Sequence, residues 1–463
     1  MKVHLSAIAG TAMASLAGLL KEAGHQVTGS DQDIYPPMST QLAALGIPVR
    51  SPYDEKNVPP DADLVVVGNA LSRGNPEVEA VLDRRQRMDS MPAVLGEHFI
   101  RGRTSLVVAG THGKTTTTSL LAYLLHAAGQ DPSFLVGGVP KDFDRSYRIG
   151  RGPFFVVEGD EYDCAFFDKR PKFLHYMPDV AIIGNIEYDH ADIYPDLLSV
   201  QRAFVHLMNV VPRRGLIVAG LETPALREIL PRAHSRVETF GLSEGADWRA
   251  VDVRVEDGWR FRLLCKGKDV GEFRLGLGGE HNLRNALAAL AAANEVGVPP
   301  EQVREALGRF GGVKRRLEVR GEARGVTVYD DFAHHPTAVR ETLRALRAGR
   351  RAGRLVAVFE PRSYTSRTRV FQEDFARAFQ EADQVVVSAA HLPGKVPEGQ
   401  RISERELVRA IAELGREARF VPAVDDIVAL LARELREGDQ VVILSNGGFG
   451  GIHDKLLGSL GAS

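Results

Sequence analysis

Lys114 lies in the stretch of this 463-residue chain best suited to carry chemistry, Gly110-Thr111-His112-Gly113-Lys114-Thr115-Thr116-Thr117. An apolar, β-branched run from Ser105 precedes it, and Leu120, Leu121, Leu124 and Leu125 follow at helical spacing. Strand, glycine-bounded loop and helix are what a phosphate-binding loop requires. Glycines let backbone N–H groups close around phosphate oxygens, and the helix N-terminus adds a favourable partial charge. Lys114 can then reach the terminal phosphates, and the Thr115 or Thr116 hydroxyl can hold Mg²⁺. The pattern is short of a full Walker A, because Val108 occupies the place of its first glycine. A Gly/Thr-rich turn capping a helix is the plainer alternative, but the flanking elements favour an ATP or GTP site.

Two acidic clusters each follow an apolar run: Glu158-Gly-Asp160-Glu161-Tyr-Asp163 after Phe154, and Glu187-Tyr-Asp189-His190-Ala-Asp192 after Ala181. Clustered acids often serve only as caps or a solvated face. Beside a phosphate loop they acquire a second use, since Mg²⁺ prefers carboxylate and phosphate oxygens and Glu158 is a reasonable ligand. His190 is a less usual one, because imidazole suits softer metals. Further on, Asn282 and Asn285 share one face at the start of an Ala/Leu-rich helix, where asparagine serves equally as a cap or a ligand contact. Near the C-terminus the expected strand ends carry Asp330-Asp331, Glu360-Pro-Arg362-Ser363 and Ser445-Asn-Gly-Gly-Phe-Gly450.

The elements that must position these groups are legible from hydrophobic pattern. Val3 to Ala7, the turn at Gly10, a helix to Ala23 and Gln26 to Asp31 make a β-α-β unit, with Asp31 where such folds grip a ribose. The Gly-x-Gly-x-x-Gly fingerprint is absent, Ala7, Ala9 and Ala12 standing in its place, which argues against a nicotinamide or flavin enzyme. Leu64 to Val67 runs into a polar loop, Asn69 to Asn75, and a helix opened at Pro76. Trp259 to Phe273 has the pattern of a β-hairpin. Glycine-rich, basic Gly308 to Arg316 marks a boundary, and alternating strands and helices follow it. The expected fold is α/β in three domains: a Rossmann-like residues 1–101, a central P-loop ATPase-like 102–312 and a C-terminal Rossmann-like 313–463.

Length alone favours two to three domains. A net charge of −2 gives no reason to expect nucleic acid or anionic membrane as a partner. Cys164 and Cys265 form no metal or redox motif and suit a reducing compartment. The small-residue run to Leu20 superficially fits a signal peptide, but Gly10-Thr11 interrupts it and no cleavage context follows. No uninterrupted apolar run is long enough to span a bilayer, so a cytoplasmic protein is expected.

Taken together, these motifs closely resemble the Mur ligases, ATP-dependent enzymes that build or recycle the peptide of bacterial cell-wall precursors. The resemblance rests on Gly110 to Thr117, Glu158, Asn185-Ile-Glu-Tyr-Asp-His190, His281-Asn282 with Asn285, Arg315-Arg316 and Asp330 to Pro336, in that order over the whole chain. Tyr35-Pro-Pro-Met-Ser-Thr40, Ser72 to Pro76, Glu161 to Arg170, Tyr188 to Ile193 and Ser445 to His453 are most similar to one branch of the family. That branch joins UDP-N-acetylmuramate to L-alanyl-γ-D-glutamyl-meso-diaminopimelate. The alternative is the branch that adds L-alanine, which Glu360 to Arg369 partly resembles, although on composition that stretch is an exposed basic loop.

The resemblance implies an acyl phosphate made from the lactyl carboxylate and ATP, then displaced by the peptide amine. By resemblance Lys114, Glu158 and His190 are catalytic, within a nucleotide loop of Gly110, Thr111, His112 and Gly113. Thr115 or Thr116 with Glu158 would place one Mg²⁺ and His190 a second. Asn282, Asn285, Arg316 and Asp331 would hold ATP, with His281 near the base. Gly10, Thr11, Ala12 and Met13 would lie near the UDP pyrophosphate, and Asp31, Asn69, Ala70, Ser72, Arg73 and Asn75 near uridine. The implied partners are these small molecules, with no nucleic acid or membrane, and a monomer or weak homodimer. Some family members carry a carbamylated lysine downstream of the metal histidine; here that region reads Val200-Gln-Arg-Ala-Phe-Val-His206, and the modification is not expected.

Overall fold

The computed structural model describes residues 1–32, 34, 38–256, 258–349, 353–392, 394 and 396–461. Tyr35, Pro36 and Pro37 of the expected Tyr35-to-Thr40 motif lie outside the described residues. Three sheets carry the architecture. The first has five parallel strands in the order Val49–Arg50, Gln26–Ser30, Lys2–Ser6, Leu64–Val67, Met88–Ser90. Strand order reverses beside Lys2–Ser6, which opens a crevice at the carboxyl edge of the sheet. Helix Thr11–Glu22 covers one face through Leu16, Leu19 and Leu20.

The central sheet has ten strands. Its middle strand, Thr104–Ala109, is paired in parallel with Phe154–Gly159 on one side and Val180–Ile183 on the other. Val108 is opposite Glu158, and Ala109 is opposite both Gly159 and Ile183. The loops after these three strands therefore leave one sheet edge side by side. All three strands are apolar along nearly their whole length because helices cover both faces. Helices Lys114–Ala127 and Glu280–Glu295 share an apolar cluster in which Leu120, Leu121, Leu124 and Leu125 meet Ala286, Leu287, Ala289 and Leu290. The expected hairpin is present as Gly258–Cys265 against Lys268–Leu275, but a further antiparallel strand, Trp248–Glu256, joins it to the sheet.

The third sheet orders Glu318–Ala323, Val326–Asp331, Gln440–Leu444, Leu355–Phe359, Gln384–Val387 and Glu417–Phe420, parallel except at the first pair. The first and central sheets share one apolar cluster, running from Val3 and Leu5 to Val107 and Phe155. Tyr188, from a central-sheet loop, packs on the cluster of the third. Among the described residues no helix is long and apolar enough to cross a membrane.

Candidate active site

The loop Gly110–Gly113 follows the middle strand of the central sheet. Gly113 has φ 81°, so the backbone conformation favours glycine, and a Cβ there would lie 2.6 Å from Asn285 Oδ1 and force that side chain to shift. Lys114 opens the following helix and turns its ammonium back over the loop. It donates to Gly110 O at 2.7 Å, Thr111 O at 3.3 Å and Glu161 Oε2 at 2.9 Å. Burial alone would lower its pKa. The charges of Glu161 and Asp160 outweigh burial and hold Lys114 above the ordinary lysine value.

The second loop supplies the acids. Glu158 Oε1 accepts from Thr115 Oγ1 at 3.0 Å and Oε2 from Gly137 N at 2.8 Å. Thr115, of the two candidate threonines, thus has its hydroxyl on the acid. Burial raises the Glu158 pKa, against the pull of Lys114. Glu161 is the residue the sequence reading missed: its second oxygen lies 3.1 Å from His190 Nε2, so one carboxylate joins Lys114 to the third loop. Burial would depress His190, but the Glu161 hydrogen bond and charge raise it. Asp160 pairs with Lys172 at 2.6 Å; burial would raise it, and Lys172 and Lys114 bring it well below the carboxylate range. One donor atom each from Asp160, Glu161 and His190 lies within 4.8 Å of the others, a set with the oxygen-rich chemistry of a divalent-cation site.

The third loop also receives the third sheet. His190 adopts φ 56°, stabilised by its N–H donating to Asp189 Oδ1 at 2.7 Å. Thr365 donates to the same oxygen at 2.6 Å from the other domain. Glu187 Oε2 accepts from Thr337 Oγ1 at 2.6 Å and lies 3.2 Å from His112 Nε2 in the phosphate loop. His335 Nε2 donates to Tyr188 O at 3.2 Å, since its Nδ1 accepts from Thr337 N. Its ring is 4.6 Å from that of His112. Glu187, His335 and Thr365 stood in the sequence only as members of longer stretches, with no role of their own, and Thr337 carried no signal at all.

Asn285 stands over Gly113 and donates to Asn282 Oδ1 at 3.2 Å, while Asn282 donates to Gly278 O. Arg316 reaches Thr115 Oγ1 at 3.4 Å. His281 Nδ1 is buried without a hydrogen-bond partner, and burial beside Arg316 lowers its pKa to about 4. Asp331 is engaged within its own domain, accepting from Leu317 N, Ala333 N and Thr342 Oγ1.

The residues expected near UDP form a separate group on the first sheet. Gly10 precedes helix Thr11–Glu22, whose N-terminus has no side-chain cap, with Thr11, Ala12 and Met13 as its first residues. Asp31 holds the turn, accepting from Ala9 N, Gln32 N and Tyr53 Oη at 2.7–2.9 Å. Ala7 adopts φ 67°, a conformation usually left to glycine. Asn75 caps the helix from Pro76, Arg73 pairs with Glu79, and Asn69, Ala70 and Ser72 line the exposed side of that loop.

Comparison with known proteins gives this arrangement its family. Family models match residues 2–103 (Mur ligase family, catalytic domain), 108–293 (Mur ligase middle domain) and 315–447 (Mur ligase, glutamate ligase domain). The chain is 44% identical, over 99% of its length and 98% of the relative's, to the UDP-N-acetylmuramate–L-alanyl-γ-D-glutamyl-meso-2,6-diaminoheptandioate ligase of Escherichia coli K12. The chain belongs to the Mur ligase family. Its members are ATP-dependent ligases, and so is this protein. It is 38% identical to the UDP-N-acetylmuramate–L-alanine ligase of Myxococcus xanthus, over 98% of this chain and 94% of that one. Among solved structures, the murein peptide ligase of Psychrobacter arcticus matches with a TM-score of 0.77 at 37% identity, covering 100% of this chain and 99% of that one. The Mur ligase likeness expected from the motifs, and the three-domain α/β fold, are both as anticipated.

Proposed function

We propose that the protein joins the lactyl carboxylate of UDP-N-acetylmuramate to the amine of L-alanyl-γ-D-glutamyl-meso-diaminopimelate, with ATP converted to ADP and phosphate. The observation that carries this reading is the full-length likeness, at 44% identity, to a relative named for that tripeptide, against 38% for one named for L-alanine. ATP would occupy the loop Gly110–Thr116 with Asn282, Asn285 and Arg316 beside it, and the His281 ring, neutral at physiological pH, near the base. UDP would lie on the first domain, residues 1–101, at the Gly10 helix terminus. Domains 102–312 and 313–463 would meet around the reacting groups.

The lactyl carboxylate is a poor acyl donor. One of its oxygens attacks the γ-phosphorus, forming a P–O bond as ADP leaves with the bridging oxygen. The peptide amine then attacks the acyl carbon, the C–N bond forms, and phosphate departs as the nitrogen loses its proton. Such chemistry asks for positioning and charge neutralisation rather than covalent help. Lys114 supplies fixed positive charge, and Glu161 keeps both it and His190 oriented. The backbone N–H groups at the start of helix Lys114–Ala127 add donors aimed at the phosphates. Thr115 with Glu158, and His190 with Asp160 and Glu161, suit Mg²⁺, which when bound would screen the phosphate charge. Every group invoked comes from one chain, so a monomer suffices, working where ATP and the UDP-sugar are found, in the cytoplasm.

The test is which amine is consumed. Purified protein with ATP, Mg²⁺ and UDP-N-acetylmuramate is given either the tripeptide or L-alanine, with ADP release and product mass recorded. Turnover with L-alanine alone would overturn the proposal.

A further inference from the structure

The segment from Asp163 to His175 follows the acid loop and supplies none of the groups invoked above for the reaction. Strand Asp163–Ala165 runs antiparallel to strand Asp168–Pro171, pairing Asp163 with Pro171 and Ala165 with Asp168; among the described residues the two pair only with each other. A turn of 3₁₀ helix, Lys172–His175, follows directly. A two-stranded ribbon this short is marginal by itself. Yet it is fixed on both sides. Lys172 pairs with Asp160 at 2.6 Å, Phe166 packs on the first-domain cluster of Ala7, Val67 and Leu71, and a Cβ at Gly96 would lie 2.3 Å from His175 O.

Folding of the hairpin brings together three side chains of different chemistry. The spacing Cys-x3-Asp-x6-His is no metal motif in the sequence, but one donor atom each of Cys164, Asp168 and His175 lies within 4.8 Å of the other two. Cys164 is buried, and its thiol donates to Arg170 O at 3.1 Å. Asp168 Oδ2 lies 2.8 Å from His175 Nε2. Arg170 Nε and Nη2 donate to the two Asp168 oxygens at 2.9 and 2.8 Å. The guanidinium is the movable member of the group, its side chain being 64% exposed.

A thiolate sulfur, an imidazole nitrogen and a carboxylate oxygen are the donors that Zn²⁺ takes tetrahedrally, at bond lengths that put neighbouring donors roughly 3.3–3.8 Å apart, so shifts of about 1 Å complete the site. Charge balances in both states. Thiol, carboxylate and guanidinium sum to zero. So do thiolate, carboxylate, neutral imidazole and Zn²⁺, with the guanidinium swung into water, the thiol proton released to solvent and the imidazole proton on Nδ1.

We propose that Cys164, Asp168 and His175 bind one Zn²⁺, with water as its fourth ligand, as a structural clasp on the hairpin that backs the acid loop against the first domain. The site is distinct from the oxygen-rich set of Asp160, Glu161 and His190, because sulfur selects a softer ion than Mg²⁺. It is independent of which amine the enzyme uses.

The experiment takes the full-length protein, strips it with a chelator and titrates it with Co²⁺ in excess Mg²⁺, which fills the oxygen-lined site. One equivalent is expected to bind with a thiolate-to-cobalt charge-transfer band and tetrahedral d–d absorption, both removed by one equivalent of Zn²⁺. Zn²⁺ should also raise the Tm by a few degrees. Cys164→Ser should abolish the charge-transfer band and weaken Zn²⁺ binding about 100-fold or more, and His175→Gln should weaken it similarly, whereas Cys265→Ser should change neither. Arg170→Gln, which frees Asp168, should bind Zn²⁺ as tightly as the wild type or several-fold more tightly. A folded wild type that shows no thiolate band overturns the site, as does a band that survives Cys164→Ser. If the cluster is only a hydrogen-bonded group, Arg170→Gln will lower the Tm and Zn²⁺ will not restore it, and that result overturns the proposal too.

Discussion

Lys114 and Glu161 form a 2.9 Å ion pair shielded from solvent, the ammonium 12% and the carboxylate 1% exposed. Breaking such a pair leaves a buried charge without its counter-charge, which is why loss of one partner is costly. Lys114→Ala is expected to abolish ADP release while leaving UDP-N-acetylmuramate affinity within about two-fold, because the two ligands are assigned to different sheets. Calorimetry on the folded variant checks this; loss of both ligands would contradict the layout.

Glu161 acts on His190 as well. Its hydrogen bond and charge are what raise the imidazole against burial. Glu161→Gln removes that support, so the His190 pKa should fall below its wild-type value, with the neutral ring persisting to lower pH. An NMR titration of the His190 ring reads the shift directly, and an unchanged pKa would mean that Glu161 is not its partner in solution.

Gly113→Ala tests the loop itself. A side chain at φ 81° costs about 1–2 kcal/mol, and here it also meets Asn285. The expected outcome is a KM for ATP raised about ten-fold or more, with a modest loss of thermal stability. Normal ATP kinetics would show that the loop relaxes freely.

Acid stability should report on Glu77. It is fully buried in the first domain; burial would raise its pKa, but His4, Ser30, Ser6 and Asn57 hold it near about 2, below the free value of 4.5. A depressed carboxylate contributes stability above its unfolded pKa and loses it as pH falls through the folded one. The contribution, about 3 kcal/mol, is therefore complete above roughly pH 5 and disappears toward pH 2. Denaturant unfolding of Glu77→Gln should show lower stability at pH 7 and a flatter decline between those limits; a wild-type slope would be the contrary result.

Much of the scaffold was legible because it is local. Strand Thr104–Ala109 and helix Lys114–Ala127 follow directly from apolar period and glycine placement around Lys114. Strand Trp248–Glu256 was missed because its outer half is exposed and lacks the apolar signal that betrays its neighbours. Within the site, Glu158 was legible from its position after a strand, whereas Glu161 was one acid among several. Its role depends on His190, 29 positions away. Glu187 and Thr337 are 150 positions apart, and no pattern in either segment announces the other. Asp31 and Asp331 illustrate the converse: both are conspicuous in the sequence, and both have their oxygens occupied by backbone N–H groups of their own domains.

The adjacency of strands Phe154–Gly159, Thr104–Ala109 and Val180–Ile183 makes the phosphate loop, the acids and His190 a single mechanical unit. None of its members can drift without dragging the others through shared ladder bonds.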